Sequence, residues 1–378
     1  MIRFGYDAER LFTNRTGLGN YSRNLLNNLS YYYPDNAYFL YASRIPRNSE
    51  TRFFLNSPLF QVYSPKGLNR LFWRNHRILN DLQRQKIHLF HGLTNVLPSG
   101  IDKTRIKSVV TIHDLVYKRH PEFHSLAERL VLDSRFQHAC ARANRIVATS
   151  ENTRRDILEF FDVKPEKVNV VYQTCAERFM QEKAPKLIEA VLQKYRLPSE
   201  YLLHVGAITE RKNLMGVIQA MAQLPYDLRL PLVVVGTSTA YKLKIQSYLL
   251  RHRLLDQVFF IIPNPADLPA IYQKAAVFIY PSFYEGFGIP VLEALFSRTP
   301  VVTSKVSSLP EVAGPGAWLA DPKQPEDINA GIIHLLTDTA ARNEAVEKGY
   351  QYAQQFRAEP LTERMMEVYE EVLEGQFG

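Results

Sequence analysis

What this 378-residue chain lacks narrows its chemistry before any motif is considered. It has two cysteines, Cys140 and Cys175. Two thiols cannot build a disulfide framework, so a reducing cytoplasm is the expected setting. No CxxC, HExxH or Asp-x-Asp occurs anywhere, so no metal held at a dedicated protein site is expected. No apolar run approaches the ~20 residues of a membrane span. The opening MIRFGYDAERLF has no apolar signal-peptide core and reads as a first strand. Short-period repeats and low-complexity tracts are missing too, which excludes solenoid and fibrous architectures.

What is present is ordinary in amount and uneven in placement. Hydrophobic residues make up 46% and charged residues 22%, a globular composition whose length suits two domains. The net charge of +8 is one-sided. Residues 1–182 hold 27 Lys+Arg against 17 Asp+Glu, and residues 183–378 hold 19 against 21. A uniformly basic chain would suggest nucleic acid. A one-sided one suggests two halves facing different partners, with nucleic acid not among them.

Short β-branched runs recur, each followed by a stretch with helical spacing. In the first half they are Ile2–Tyr6, Tyr38–Ala42, Leu59–Tyr63, Ile87–His91, Ser108–Ile112, Arg145–Thr149 and Val168–Tyr172. In the second they are Tyr201–Val205, Leu232–Val235, Val258–Ile261, Val277–Tyr280, Pro300–Thr303 and Ala317–Leu319. Most lack polar alternation, as parallel strands buried on both faces do. Two βα series predict two doubly wound α/β domains with a cleft between them and ligands at the carboxyl ends of the strands. The division is expected near Phe179–Pro185, giving domains at 1–182 and 183–357. The terminal stretch Ala358–Glu374 reads as a solvated helix supported by pairs four residues apart.

Several strand ends carry candidate chemistry. Gly17-Leu18-Gly19 precedes a helix expected near Tyr21; two close glycines suit an anion at a helix start, and equally a tight turn. Strand Ser108–Ile112 ends in His113-Asp114, which reads as a site histidine or as one satisfied by local backbone. Gly206 is followed by Arg211 and Lys212, a bidentate fork and a mobile point charge that suit a diphosphate. In Ser282-Phe283-Tyr284-Glu285-Gly286-Phe287-Gly288-Ile289-Pro290-Val291-Leu292-Glu293-Ala294 a glycine-rich loop runs into a helix with Pro290 in its first turn. Carboxylates near a helix start are stabilised ionised; Glu293 can then accept two ribose hydroxyls, and Glu285 can hold sugar hydroxyls or a developing positive charge. Thr149-Ser150-Glu151-Asn152-Thr153 reads as a helix cap. Ser307-Ser308 has no role readable from its chemistry.

The double-Glu segment, together with Val205-Gly206 leading to Arg211-Lys212-Asn213, resembles the signature of family 4 (group 1) glycosyltransferases of the GT-B fold. The likeness extends in order over nearly the whole chain, through the glycines at 17 and 19, Val110 to Asp114, and Thr149 to Thr153. Within the family it is most similar to bacterial mannosyltransferases of surface-polysaccharide assembly. The resemblance implies a GT-B fold of two Rossmann-like domains facing each other across a cleft. It implies transfer of a hexose, with mannose from GDP-mannose as the first expectation, from a nucleotide diphosphate sugar to a saccharide or lipid-linked acceptor, with retention and without a metal or other cofactor. It assigns Glu293 to the ribose. Arg211 and Lys212 hold the diphosphate, helped by Gly17, Gly19, Gly206 and the helix start at Gly288–Val291. Glu285, Gly286, Phe287 and Gly288 meet the donor sugar, and His113 lies at that sugar. The catalytic set is thus His113, Glu285, Arg211 and Lys212. The last helix is implied to cross back to the N-terminal domain. Two stretches depart from the family pattern, Gln173-Thr174-Cys175-Ala176 and Pro263-Asn264-Pro265.

The acceptor is expected on the basic half. Lys66–Lys86 is its densest piece and reads as a basic amphipathic helix, which either lies on an anionic membrane at the cytoplasmic face or packs its apolar side on its own sheet. Three rival functions remain open: transfer from a UDP-sugar, a nucleotide-sugar epimerase, and a sugar-binding protein without catalysis.

Overall fold

A computed structural model describes residues 1–14, 16–48, 50–65, 73–237 and 239–374. The chain divides into two units. The first is Met1–Thr174 together with the residues from Phe356 onward, and the second is Cys175–Gln355.

The first unit is built on seven parallel strands, β1 (Arg3–Asp7), β2 (Ala37–Tyr41), β3 (Phe60–Tyr63), β4 (Leu89–Gly92), β5 (Lys107–Ile112), β6 (Arg145–Ala148) and β7 (Val168–Val170). Their order is β3-β2-β1-β4-β5-β6-β7, with Phe4 opposite both Tyr38 and Leu89. The central strands bury both faces, which is why their runs lack alternation. Phe4, Tyr6, Tyr38, Leu40 and Val109 pack beneath helices Gly17–Tyr32 and Ala358–Leu373. Phe39, Tyr41, Phe90, Val110 and Ile112 form the opposite face with Phe136, Ala139 and Ile157.

The second unit has six parallel strands, β8 (Leu202–Val205), β9 (Leu232–Val235), β10 (Val258–Ile261), β11 (Val277–Tyr280), β12 (Val301–Ser304) and β13 (Ala317–Ala320). Their order is β10-β9-β8-β11-β12-β13. In both sheets the winding reverses at one place, between β1 and β4 and between β8 and β11. Loops leaving the strands diverge there, opening the crevice in which doubly wound sheets bind ligands.

Three expectations are corrected, and for the described part of the basic segment one of two alternatives is met. The division falls at Thr174–Cys175 rather than near Phe179–Pro185, because Phe179 is fully buried edge-on to Tyr272 inside the second unit. Helix Ala358–Leu373 is not merely solvated: Met365, Met366, Val368, Tyr369, Val372 and Leu373 are buried in the first unit's core. Its acidic outer face therefore counts with the first unit. The first unit then holds 28 basic and 21 acidic residues and the second 18 and 17, so the excess is +7 and +1 rather than +10 and −2. Finally, Lys66, Arg70, Leu71 and Phe72 of the basic segment lie outside the described residues. The remainder of that segment, a wide turn Trp73–Arg77 and a helix Ile78–Arg84, buries Trp73, Ile78 and Leu82 on its own sheet. Arg74 pairs with buried Asp7, and the Trp73 indole donates to Asp81 at 2.7 Å. Trp73, Ile78 and Leu82 are therefore not available to a lipid surface. No helix among the described residues is long and apolar enough to cross a membrane.

Candidate active site

At the reversal point of the second sheet, the loops after β8 and β11 bring together three charges. Glu285 is 7% exposed. Its Oε1 lies 2.9 Å from Arg211 Nη1 and 2.6 Å from Lys212 Nζ, and accepts from the Tyr280 hydroxyl at 3.2 Å. Lys212 also contacts that hydroxyl and sits 4.7 Å above the Tyr280 ring. Burial by itself would raise the Glu285 carboxyl, but Arg211 and Lys212 outweigh it and hold the pKa at about 2. Glu285 is therefore ionised throughout the physiological range.

The backbone that presents it is fixed from several sides. Gly206 takes φ +154 after β8, and Gly288 takes φ +118 as the residue before helix Ile289–Phe296. A Cβ on Gly288 would come within 2.8 Å of Leu309 Cδ2. Asn213, in the left-handed region, accepts from Gly216 N at 3.2 Å and donates to Pro281 O and Pro322 O at 3.1 and 2.7 Å. It thus ties the Arg211-Lys212 turn to the end of β11. The serines without a readable role now have one. Ser307 Oγ accepts from Glu285 N at 3.0 Å. The buried Ser308 hydroxyl is shared by Glu285 O at 2.8 Å and Phe287 O at 2.7 Å. Gly286 and Phe287 are buried within this clamped loop.

Glu293 lies one turn into the helix and accepts from the Tyr272 hydroxyl at 2.9 Å. The expectation of a carboxylate kept ionised by the helix start is corrected: burial pushes its pKa up to about 7, against the lowering effect of Tyr272 and Arg178. The helix start is also partly spent. Pro290 has no N–H, Val291 N donates to Gly288 O at 2.9 Å, and the Val291 side chain is fully buried.

In the first unit, His113 follows β5 and is 7% exposed. Its Nε2 lies 2.9 Å from Leu93 O, so that nitrogen carries the proton and Nδ1 faces the Gln173 amide at 3.5 Å. Burial pushes its pKa down, against the raising effects of the Leu93 carbonyl and Asp114, so the ring is neutral. The Thr149 hydroxyl donates to His113 O at 2.8 Å and Thr153 to the same oxygen at 3.3 Å. Ser150 does cap helix Glu151–Phe160, but its two threonine neighbours hold the histidine backbone, a role the capping reading missed. The adjacent Asp114 accepts from Val116 N at 3.1 Å.

The glycine pair sits differently from its expectation. Helix Gly17–Tyr32 begins at Gly17 rather than near Tyr21, so both glycines lie in its first turn. Gly19 N donates to Asn14 Oδ1 at 3.3 Å, and a Cβ there would fall 1.8 Å from Asn14 O. Close backbone approach accounts for Gly19; Gly17 has open space around it.

Comparison with known proteins bears on both units. Residues 189–352 match the family model described as Glycosyl transferases group 1, and residues 17–174 match Glycosyltransferase Family 4. The O-antigen chain mannosyltransferase B of Escherichia coli is 31% identical over 293 residues, 76% of this chain and 75% of that protein. The O-antigen chain mannosyltransferase RfbU of Salmonella typhimurium is 27% identical, over 62% of each chain. Among solved structures, Anabaena Alr3699/HepE in complex with UDP-glucose superposes with a TM-score of 0.79 at 16% identity, covering 98% of this chain and 100% of the other. Sucrose-phosphate synthase from Thermosynechococcus elongatus gives 0.78 at 18%, covering 99% of each. These structural likenesses establish the two-sheet fold.

Proposed function

The chain belongs to the group 1 and family 4 glycosyltransferases of the GT-B fold, and on that premise we propose that it transfers mannose from GDP-mannose to a saccharide or lipid-linked acceptor in cell-surface polysaccharide assembly. The observation that carries the reading is the Arg211–Glu285–Lys212 cluster at the carboxyl ends of β8 and β11. The E. coli relative supports mannose as the sugar.

In the proposed reaction the bond from the sugar C1 to the β-phosphate oxygen breaks, and its electron pair leaves with the diphosphate. The acceptor oxygen bonds to C1 on the same face, giving retention, and its proton passes to the departing phosphate. Arg211 and Lys212 offset the charge that grows on that phosphate, where a buried site makes such stabilisation large. No metal is required in this scheme. Glu285 orients both cations and meets the sugar through its remaining oxygen; Glu293 accepts from the ribose hydroxyls. His113, neutral and with its Nε2–H donating to Leu93 O, meets the sugar in this scheme through Nδ1 as a hydrogen-bond acceptor rather than as a general base. Attachment to the inner face of the membrane is proposed as electrostatic, through the first unit's excess of positive charge.

The test is incubation of the protein with GDP- and UDP-sugars, with and without a mannose-terminated saccharide, followed by mass spectrometry. The proposal expects an acceptor heavier by one hexose and GDP released only when acceptor is present. Preference for a UDP-sugar would replace the donor. An epimerised sugar, or no change in any mixture, would overturn transferase function.

A further inference from the structure

Four buried side chains in the first unit form one hydrogen-bonded line. Tyr369 OH lies 2.7 Å from His91 Nδ1, His91 Nε2 2.8 Å from Thr111 Oγ1, and Thr111 Oγ1 2.9 Å from Tyr21 OH. Tyr369, His91 and Thr111 have no exposed surface, and Tyr21 is 6% exposed. The line joins the last helix, β4, β5 and helix Gly17–Tyr32. It ends at His113, whose ring the Tyr21 ring meets edge-on, at 86° and 4.6 Å between centroids.

Such a line is costly to place in a core that Phe4, Leu26, Leu89 and Val109 otherwise fill with apolar atoms. Apolar groups of the same size would pack there without the loss of hydration. What a hydrogen-bonded polar line adds is a single arrangement. Each hydroxyl has one proton, and a neutral imidazole has one donor and one acceptor. Donor and acceptor roles along the line are therefore set together, and the Tyr21 ring is held at both its backbone and its hydroxyl. His113 is gripped on its other sides by Leu93, Thr149, Thr153 and Gln173. Tyr21 completes that grip at the ring.

We propose that Tyr21, Thr111, His91 and Tyr369 are positioning residues for His113, so that a helix from the far end of the chain fixes the orientation of its ring. The proposal rests on the reading of His113 as a group at the donor sugar.

The experiment compares full-length wild type, Thr111→Val, Thr111→Ser and Tyr369→Phe. Thr111→Val removes the hydroxyl at nearly constant volume, Thr111→Ser keeps it, and Tyr369→Phe breaks the line at its other end with little change of shape. Steady-state kinetics and the NMR resonances of the His113 ring are both read. The expected result is that Thr111→Val and Tyr369→Phe lower kcat about tenfold with donor KM within about twofold, and both move the His113 resonances. Thr111→Ser is expected to restore both readouts. Ring resonances unmoved in both disrupting variants would overturn the proposal. Moved resonances with unchanged kcat would uphold the positioning and overturn the role of His113 at the sugar. A role in stability alone would lower the melting temperature and leave kcat and the resonances where they were, which also overturns it.

Discussion

Lys212 places its ammonium 2.6 Å from the Glu285 carboxylate while lying 4.7 Å above the Tyr280 ring. A carboxylate, a hydroxyl and a ring thus hold one long side chain, Arg211 holds the same carboxylate from another side, and the carboxylate they share is buried. In the proposed reaction, removing Lys212 takes away charge stabilisation of the leaving diphosphate. Lys212→Ala is expected to lower kcat/KM at least about 100-fold, the range seen when a stabilising donor is lost. Glu285→Ala should lose turnover similarly, and also stability, by about 3–5 kcal/mol, because two cations are left without their counterion. Donor turnover and thermal melts of both variants check this; full activity in either would overturn the site assignment.

Glu293 provides a pH signature. Its carboxyl is raised to about 7 in the folded protein, above the ordinary value of about 4.3 for an unfolded chain. A group raised in this way contributes stability that is present below pH ~4 and lost as pH rises through ~7. Glu293→Gln should therefore melt higher than wild type at pH 8 and nearly level with it at pH 4. If Glu293 holds the ribose as proposed, the same ionisation supplies a better acceptor for its hydroxyls, so donor KM should fall as pH rises through ~7 in wild type only. A flat wild-type KM across that range would remove Glu293 from the ribose.

Glu285 has the opposite sign. Its pKa is depressed to about 2, so its contribution is present above pH ~4.3 and lost as pH falls toward 2. Wild type should lose stability over that acid window, and Glu285→Gln, which cannot titrate there, should lose less. Urea midpoints measured from pH 5 to pH 3 would decide it.

Ser308 is the hinge pin of the loop that carries Glu285. Ser308→Ala leaves two buried carbonyls short of a donor, at a cost of about 1–3 kcal/mol, and should lower kcat more than it raises donor KM. Gly288→Ala should be harsher on folding, since φ +118 and the 2.8 Å approach to Leu309 both oppose a side chain. Thermal melts and kinetics of the two variants separate loop order from backbone strain.

Attachment to membranes, being electrostatic in this reading, should respond steeply to salt. Co-sedimentation with vesicles rich in anionic lipid is expected at low ionic strength and should vanish near 0.5 M salt, where screening acts over about 4 Å. Binding that survives such salt would point to apolar insertion instead.

All thirteen apolar runs named from the sequence are strands, within one or two residues at their ends. Burial on both faces of a parallel strand leaves a local mark that needs no knowledge of neighbours. Features decided by long-range packing left no such mark. The raised carboxyl of Glu293 depends on burial beside Tyr272, and the start of the second unit on Phe179 meeting that same ring. Ser307 and Ser308 are unreadable from local sequence because their partners, Glu285 and Phe287, lie more than twenty residues away. The last helix reads as solvated because its charges are patterned for helix stability, while the burial of Met365, Met366 and Tyr369 depends on a core built from the other end of the chain. Arg211, Lys212 and Glu285 are readable as chemistry, but their grip on one another is not.

The placement of helix Ala358–Leu373 also orders events during synthesis. Chains are made from the amino end, and domains generally fold as they emerge. Here the second unit is one continuous stretch and can close as soon as Gln355 clears the ribosome. The first unit, begun earlier, cannot finish: helix Gly17–Tyr32 covers Phe4, Tyr6 and Tyr38 only in part, and helix Ala358–Leu373 completes that core. The half made first is completed last, with part of its aromatic core left uncovered until helix Ala358–Leu373 is made.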